Sequence, residues 1–306
     1  TLSKIKANQN DVQVVMITKS EEEYIMDDAI GSQIADYLIK PVNPNQILLS
    51  IKKLLDRSRL VNEKTNSNYQ IDFRHISNKL MDNMDLNEWK AVYNKLVVWE
   101  LELGKNADKS MNEVYENQKK EANHTFSKFI TKHYFDFLQP VGDNGPVMSH
   151  NLFRRCVKPL INEQVPTFFI LIDNLRFDQW KAIAPIIKDR FKLESEDQYL
   201  TILPTTTQYC RNAIFSGLLP SEIEKRFPQK WSNDEDEGGK NNFEEDFFKD
   251  LLSRLQIKGK SSYTKVTNLD GGKALVDKIP NMFQNQINAI VYNFVDAFSH
   301  ARTDVS

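Results

Sequence analysis

Apolar and polar positions divide the chain into three blocks, and the first of them covers residues 1–57. The run at 12–18 is apolar, β-branched and too short for a helix, so it predicts a buried parallel strand, and 35–39 predicts a second. Helical spacing of apolar residues predicts helices at 2–7, 21–31 and 44–57. This order is typical of the second half of an α/β unit.

The second block, residues 58–145, has heptad-like spacing and no strand pattern. Three amphipathic stretches follow one another, which predicts an all-α three-helix bundle or an extended helical spacer. Glycine, proline, asparagine and aspartate are densest at 139–146, so we place a domain boundary there. The apolar positions of the three stretches are Ile76, Leu80 and Met84; Trp89, Val92, Leu96, Trp99 and Leu103; and Met111, Val114, Tyr115, Phe126, Phe129 and Ile130.

The third block, residues 146–306, returns to an α/β pattern. Strands are predicted at 167–173, 199–203, 262–266 and 289–295, and helices at 180–191 and 207–217. The acidic stretch 232–242 is predicted to be an insertion. These blocks predict three domains, which comprise residues 1–57, 58–145 and 146–306.

Composition excludes several classes of protein. The 40 basic and 42 acidic residues give a net charge of −2, which argues against a broad surface for binding long nucleic acids. The chain has no apolar run of the roughly 20 residues that a membrane span needs. Two cysteines do not make a disulfide framework, and the first residues do not resemble an export signal. We therefore expect a cytoplasmic protein with no membrane partner.

Three chemically interesting features lie at predicted strand ends, where open α/β sheets bind ligands. They are Asp173, the run Thr205 to Thr207, and Asp296 with His300. A carboxylate and an imidazole four residues apart on a helix can share a zinc ion, although a closed zinc site needs about four ligands. Each feature also has a simpler explanation, because such residues commonly cap helices or form salt bridges.

The segment Pro204-Thr-Thr-Thr-Gln-Tyr-Cys-Arg211, with Gly217 closing its helix, resembles the nucleophile segment of the alkaline phosphatase superfamily. Together with Leu171-Ile-Asp-Asn-Leu-Arg-Phe-Asp178, it is similar to PglZ domains within that superfamily. The resemblance implies that Thr207 is the nucleophile, although Thr205 and Thr206 stay open as alternatives. It also implies two zinc ions, with Asp173 and Thr207 as ligands toward one and Asp296 and His300 as two ligands of the other.

Arg211 follows Thr207 by one helical turn, and two roles are open for it. It can pair with a phosphate oxygen in bidentate fashion, as a catalytic group, or form a salt bridge within the protein.

The front of the chain resembles the last two strands of a CheY-like receiver domain. Thr18 lies at the position of the switch hydroxyl, Tyr37 at that of the switch aromatic residue, and Lys40 at that of the phosphate-contacting lysine. A receiver, a helical bundle and a PglZ domain in this order resemble the PorX-type response regulators. The expected fold is therefore a truncated receiver without its phosphoacceptor aspartate, a three-helix bundle, and an alkaline-phosphatase-like α/β domain truncated at its C-terminal end.

The resemblance implies a two-component response regulator that controls type-nine secretion genes and carries a zinc-dependent phosphodiesterase output domain. It implies a cognate histidine kinase, Mg²⁺ for receiver phosphorylation, a homodimer on phosphorylation, and a phosphodiester or short oligonucleotide as substrate. The alternative is a non-catalytic signalling module whose PglZ domain binds a protein such as a sigma factor. A third alternative is a helical scaffold with incidental α/β ends.

Overall fold

A computed structural model describes residues 4–5, 12–19, 34–104, 109–139, 145–232, 241–293 and 295. The chain divides into two compact units, Thr1–His124 and Thr125–Ser306. The predicted helix at 21–31, the predicted helix at 2–7 except for residues 4–5, most of the acidic insertion, and the residues Asp296 and His300 lie outside the described residues. Within the described ranges, no helix is long and apolar enough to cross a bilayer.

The described elements form an α/β part, an all-α part and a second α/β part, in the order that the three sequence blocks predict. The first unit contains the strands β1 (Val15–Thr18) and β2 (Asp36–Ile39), the helices α1 (Pro44–Met81) and α2 (Leu86–Gly104), and the first part of α3 (Lys109–Leu138). The second unit contains the rest of α3, then β3 (Thr167–Ile172), α4 (Phe177–Lys188), α5 (Thr207–Ser216), α6 (Pro220–Arg226), α7 (Glu244–Arg254), β4 (Ser261–Val266), α8 (Leu269–Met282) and β5 (Ile287–Tyr292).

Helix α1 is much longer than the predicted helix at 44–57. Its N-cap is Asn43, whose side chain accepts a hydrogen bond from the backbone N–H of Asn45, and Pro44 is the first residue of the helix. It then continues to Met81, because the sequence after Pro44 contains no glycine or proline that would end it. The helix therefore crosses the boundary predicted at 57/58, and that boundary stays a prediction.

The three helices enclose an aromatic core in the first unit. Tyr69 is fully buried, lies 5.3 Å from Trp99 between ring centroids, and donates a hydrogen bond to Gln118 at 3.2 Å. Burial raises the pKa of Tyr69 to about 12, so its hydroxyl is a donor at neutral pH. Trp89 and Trp99 are buried here, as the heptad spacing predicts. The other buried residues include Ile76, Leu80, Met84, Val92, Leu96, Val97, Leu103 and Tyr115.

The second unit is built on a parallel sheet with the order β3-β5-β4. The central strand β5 is buried along nearly its whole length, and its side chains alternate between the two faces of the sheet. Ala289 and Val291 pack with Phe215 of α5 and Phe248 of α7. Ile290 packs on the opposite face with residues of α8. Helices therefore cover both faces, which is typical of parallel sheets.

The strand predicted at 199–203 is wrong. In the described residues this segment forms a single bridge, between Leu200 and Met148. The backbone N–H of Ile202 donates to the hydroxyl of Ser149, and that of Leu203 donates to the hydroxyl of Tyr134. Because side-chain hydroxyls accept hydrogen bonds from these backbone N–H groups, the segment does not need a neighbouring strand to satisfy them.

Several other boundaries differ from the predictions. Helix α4 begins at Phe177 instead of near 180, since Gln179 accepts a hydrogen bond from the backbone of Arg176 at the preceding N-cap. Strand β5 ends at Tyr292 instead of 295. The sequence pattern did not predict the helices α6, α7 and α8.

We predict that Ile76→Ala destabilises the bundle by about 2–5 kcal/mol, because it removes a fully buried side chain. Amide hydrogen exchange in α2 measures the free energy of opening. Ile71→Ala is the matched control, since Ile71 lies on the same helix and is 63% exposed. It should change that energy by less than about 0.5 kcal/mol. Equal effects of the two substitutions would contradict the described packing.

Candidate active site

The candidate site lies at the carboxyl end of the three-stranded sheet. Asp173 follows β3 directly, and its backbone N–H continues the ladder by donating to Tyr292 at 2.9 Å. Asn293 follows β5, and its N–H donates to Val266 of β4 at 2.9 Å. Parallel strands thus place these residues together at the edge where α/β sheets bind ligands.

Arg211 occupies the centre of this edge and is 3% exposed. Its Nη1 donates to Oδ2 of Asp173 at 2.9 Å and to Oδ1 of Asn293 at 2.7 Å. Its Nε donates to Oε1 of Glu244 at 2.8 Å, and its Nη2 donates to the other oxygen of Glu244. These four bonds use four of the five N–H donors of a guanidinium group.

Glu244 is 1% exposed and is the first residue of α7. Its Oε2 accepts a hydrogen bond from the hydroxyl of Tyr263 at 2.8 Å and lies 3.7 Å from Nζ of Lys265. The amino terminus of α7 also favours a negative charge at this position. A buried carboxylate is thus compensated by an arginine, a phenol, a lysine and a helix terminus.

The charges of the cluster balance. Asp173 and Glu244 carry two negative charges, and Arg211 and Lys265 carry two positive charges. Burial by itself would lower the pKa of Arg211, but the neighbouring carboxylates Glu244 and Asp173 raise it above its usual value. Burial and the charge of Glu244 raise the pKa of Tyr263, which keeps its hydroxyl protonated as a donor.

Thr207 is the first residue of α5 and is half-buried. Arg211 lies one turn further along the same side of the helix, so α5 connects the threonine to the charge cluster. Thr206 is the N-cap of α5, and both Thr206 and Thr205 are exposed. Helix α5 ends at Gly217, whose φ of +62° favours glycine.

Polar atoms surround the start of α5. The side-chain amide of Asn241 donates to the backbone oxygen of Thr207 at 3.4 Å. Among the described residues, Nε2 of Gln208 and Oδ1 of Asn241 are buried without a hydrogen-bond partner. Buried amides normally have partners, so these two atoms are candidates for contact with a bound molecule.

The thiol of Cys210 lies in the same helix, but it contacts Thr201 and the backbone of Ile202. Burial raises its pKa, so it is a thiol and not a thiolate nucleophile at neutral pH.

The donors in the described part of the site fit zinc in kind. The carboxylate of Asp173 is a common type of zinc ligand, and a hydroxyl such as that of Thr207 can be activated by metal coordination. Within the described ranges, no group of three or more His, Cys, Asp or Glu side chains converges to hold a metal. A complete site would therefore require Asp296 and His300, whose positions the structure does not describe, or other ligands.

The three receiver residues lie in the first unit. Thr18 ends β1 and is in register with Ile39, and the N–H of Lys40 donates to the backbone oxygen of Thr18 at 2.7 Å. Tyr37 is in register with Met16. Thr18 and Lys40 therefore lie side by side at the carboxyl end of the two-stranded sheet.

The sequence pattern did not predict four residues of the site: Glu244, Tyr263, Lys265 and Asn293. Glu244 is 33 residues from Arg211 along the chain and follows an acidic stretch, so its charge does not stand out. Asn293 was not found because the strand was predicted to continue to 295, whereas the strand ends at Tyr292 and leaves Asn293 at the sheet edge.

Two known domains match the chain. Residues 59–138 match the PorX response regulator linker domain. Residues 152–306, half of the chain, match the BREX system PglZ alkaline phosphatase-like domain. No curated protein matches the chain.

The chain belongs to the PglZ alkaline phosphatase-like family, and its PglZ domain follows a PorX-type linker. This combination fits a regulator with a phosphoesterase-like output domain. The match extends over Asp173, Thr207 and Arg211, and it leaves their individual roles to be proposed.

We predict that Arg211→Met destabilises the second unit by about 3–5 kcal/mol, because it leaves two buried carboxylates without their main counter-ion. Amide hydrogen exchange in β3 and β5 measures the change in the free energy of opening of this unit. Arg226→Met is the control: it breaks a bidentate pair with Asp250 whose arginine side chain is 46% exposed, and it should cost about 1 kcal/mol or less. A small effect of both substitutions would contradict the buried cluster.

Proposed function

We propose that the chain is part of a two-component response regulator whose PglZ domain hydrolyses phosphodiesters, with Thr207 as nucleophile and zinc as cofactor. The observation that carries the proposal is the placement of Thr207 at the start of α5, one turn before an arginine that is bonded to the strand-end Asp173. Helix α5 and the bond from Arg211 to Asp173 thereby connect a hydroxyl and a carboxylate from distant parts of the chain.

Thr207 is suited to the nucleophile role by its position. A threonine hydroxyl is a poor nucleophile near neutral pH, since almost none of it is ionised. The amino terminus of α5 provides a field that favours negative charge on the oxygen and on a phosphate next to it. Thr205 and Thr206 precede the helix and are exposed, so they gain less from this field.

Asp173 and Thr207 would hold one zinc ion, and Asp296 and His300 would contribute to the other. Bound at these positions, zinc would stabilise the threonine alkoxide and the charge on the leaving oxygen. Arg211 holds one oxygen of Asp173, which limits the rotation of that carboxylate. Gln208 and Asn241 offer buried amide atoms next to Thr207 for orienting the substrate.

The proposed reaction has two steps. The hydroxyl of Thr207 loses its proton to solvent and its oxygen forms a bond to phosphorus, while the bond from phosphorus to one alcohol oxygen breaks and that alcohol leaves with a proton from solvent. Water then attacks the phosphorus of the phosphothreonine diester, and the bond from phosphorus to the Thr207 oxygen breaks, which releases a phosphate monoester and restores the threonine hydroxyl. The net charge of −2 favours a short oligonucleotide or another small phosphodiester over long nucleic acid.

We propose that the front of the chain is the regulatory part. Its Thr18, Tyr37 and Lys40 would belong to a receiver that a cognate histidine kinase phosphorylates with Mg²⁺. Phosphorylation would draw Thr18 and Tyr37 inward and promote a homodimer in the cytoplasm, with control of type-nine secretion genes as the outcome.

A second candidate is a non-catalytic module whose PglZ domain binds a protein such as a sigma factor. The hydrogen bonds of Arg211 within the protein favour this second candidate, because an arginine that already makes four hydrogen bonds is poorly placed to bind a phosphate. The first of the two experiments below distinguishes the candidates, and the second tests the metal assignment.

We predict that Thr207→Val lowers hydrolysis of a model phosphodiester by at least about 10³-fold in the full-length, zinc-loaded protein, since the nucleophile is lost. Thr207→Ser keeps the hydroxyl and should retain activity. Thr206→Val and Thr205→Val are controls for the register of the threonine run and should stay near wild type. Equal turnover by the wild type and Thr207→Val would favour the binding module.

Asp173→Asn should lower the zinc content of the purified protein, because an amide is a weaker zinc ligand than a carboxylate. Elemental analysis gives the metal-to-protein ratio. Asp178→Asn is the control: Asp178 is bonded to Arg176 on the nearby start of α4, and its substitution should leave the ratio unchanged. Absence of zinc from the wild type would contradict the metal assignment.

A further inference from the structure

Glu244 has no role in the proposed chemistry, yet it is more deeply buried than any other charged residue of the site at 1% exposure. It engages the forked edge of Arg211, since Nε and Nη2 donate to its two oxygens. This edge is the one that would bind a phosphate in bidentate fashion. Both donors on this edge of the guanidinium group are therefore already bonded to a side chain of the protein itself.

The opposite side of Arg211 is also occupied. Nη1 donates to Asp173 and to Asn293, so it connects the ends of β3 and β5. Only Oδ2 of Asp173 takes part in this bond. A carboxylate held through one oxygen can bind a cation through the other, and such supporting contacts set the orientation of metal ligands.

We propose that Glu244 and Arg211 are positioning residues for Asp173: Glu244 fixes the guanidinium, and the guanidinium holds the carboxylate in the orientation that binds zinc. Tyr263 and Lys265 complete the support, because they bond and neutralise Glu244 from β4. The inference rests on the proposed function, since it assumes that Asp173 is a zinc ligand. It differs from the sequence-based hypothesis that Arg211 contacts the phosphate.

The test compares zinc affinity in the full-length wild type and in Glu244→Gln, by competition with a chromogenic zinc chelator. The substitution keeps the size of the side chain and removes its charge, so Arg211 is held less firmly. We expect zinc affinity to fall about 10- to 100-fold, as for other residues that support metal ligands. With zinc in excess, kcat should recover and KM for the phosphodiester should match the wild type.

Asp250→Asn is the matched control. Asp250 lies on the same helix α7 and accepts hydrogen bonds from Arg226 and Arg254, outside the site. Zinc affinity should stay within about twofold of the wild type, because this pair is partly exposed and far less coupled to its surroundings. The control separates a local effect of Glu244 from a general effect of breaking an ion pair on α7.

Tyr263→Phe keeps the test decisive if Glu244→Gln fails to fold. It removes one hydrogen bond to Glu244 and leaves every charge in place, so zinc affinity should fall in the same direction by a smaller factor. Hydrogen exchange in β3 and β5 verifies that the variant is folded.

Three results would overturn the inference in distinguishable ways. Unchanged zinc affinity in the folded variants would overturn it while leaving the proposed hydrolase intact. A raised KM and weaker inhibition by inorganic phosphate, with normal zinc affinity, would show that Arg211 binds the substrate instead. A wild type that binds no zinc would overturn the proposed function, and the inference with it.

Discussion

The site depends on one buried arginine between two buried carboxylates. Arg211 is bonded to Asp173 at the end of β3, to Asn293 at the end of β5 and to Glu244 at the start of α7. Removing charges from water is costly, and the cost is offset only when each charge has well-placed partners. The three charged side chains Arg211, Asp173 and Glu244 can therefore be buried together but not separately, which fixes α5 and α7 against the edge of the sheet.

The chemistry that we propose follows from this constraint. Thr207 begins the helix that carries Arg211, so the position of the arginine also determines where the threonine lies relative to Asp173. The proposed nucleophile, the proposed metal ligand and the charges around them are thus connected, although they come from distant parts of the sequence. The family match to PglZ alkaline phosphatase-like domains agrees with a phosphoesterase-like output at this edge.

The sequence predicted the parts of the site that local patterns reveal. A strand-end acid at Asp173 and a helix beginning at Thr207 follow from short-range signals, and the buried strands from their apolar runs. Glu244 did not follow, because its pairing with Arg211 is a long-range contact. The prediction of a strand at 199–203 was wrong, since the side chains of Ser149 and Tyr134 accept the hydrogen bonds of its backbone N–H groups. The sequence predicted a helix at 44–57 and a separate helical stretch through Ile76 and Leu80, whereas the structure has one continuous helix, α1, since residues 58–81 include no glycine or proline that would end it.

The central claim is that Arg211 holds Asp173 while the same carboxylate and Thr207 bind zinc. A crystal structure of the full-length protein with zinc, using anomalous scattering at the zinc edge, tests this most directly. The account predicts an anomalous peak in contact with Asp173 and Thr207, with Arg211 still bonded to Asp173 and Glu244. A zinc ion bound elsewhere, or an Arg211 that has left Glu244 to contact a bound phosphate analogue, would contradict it.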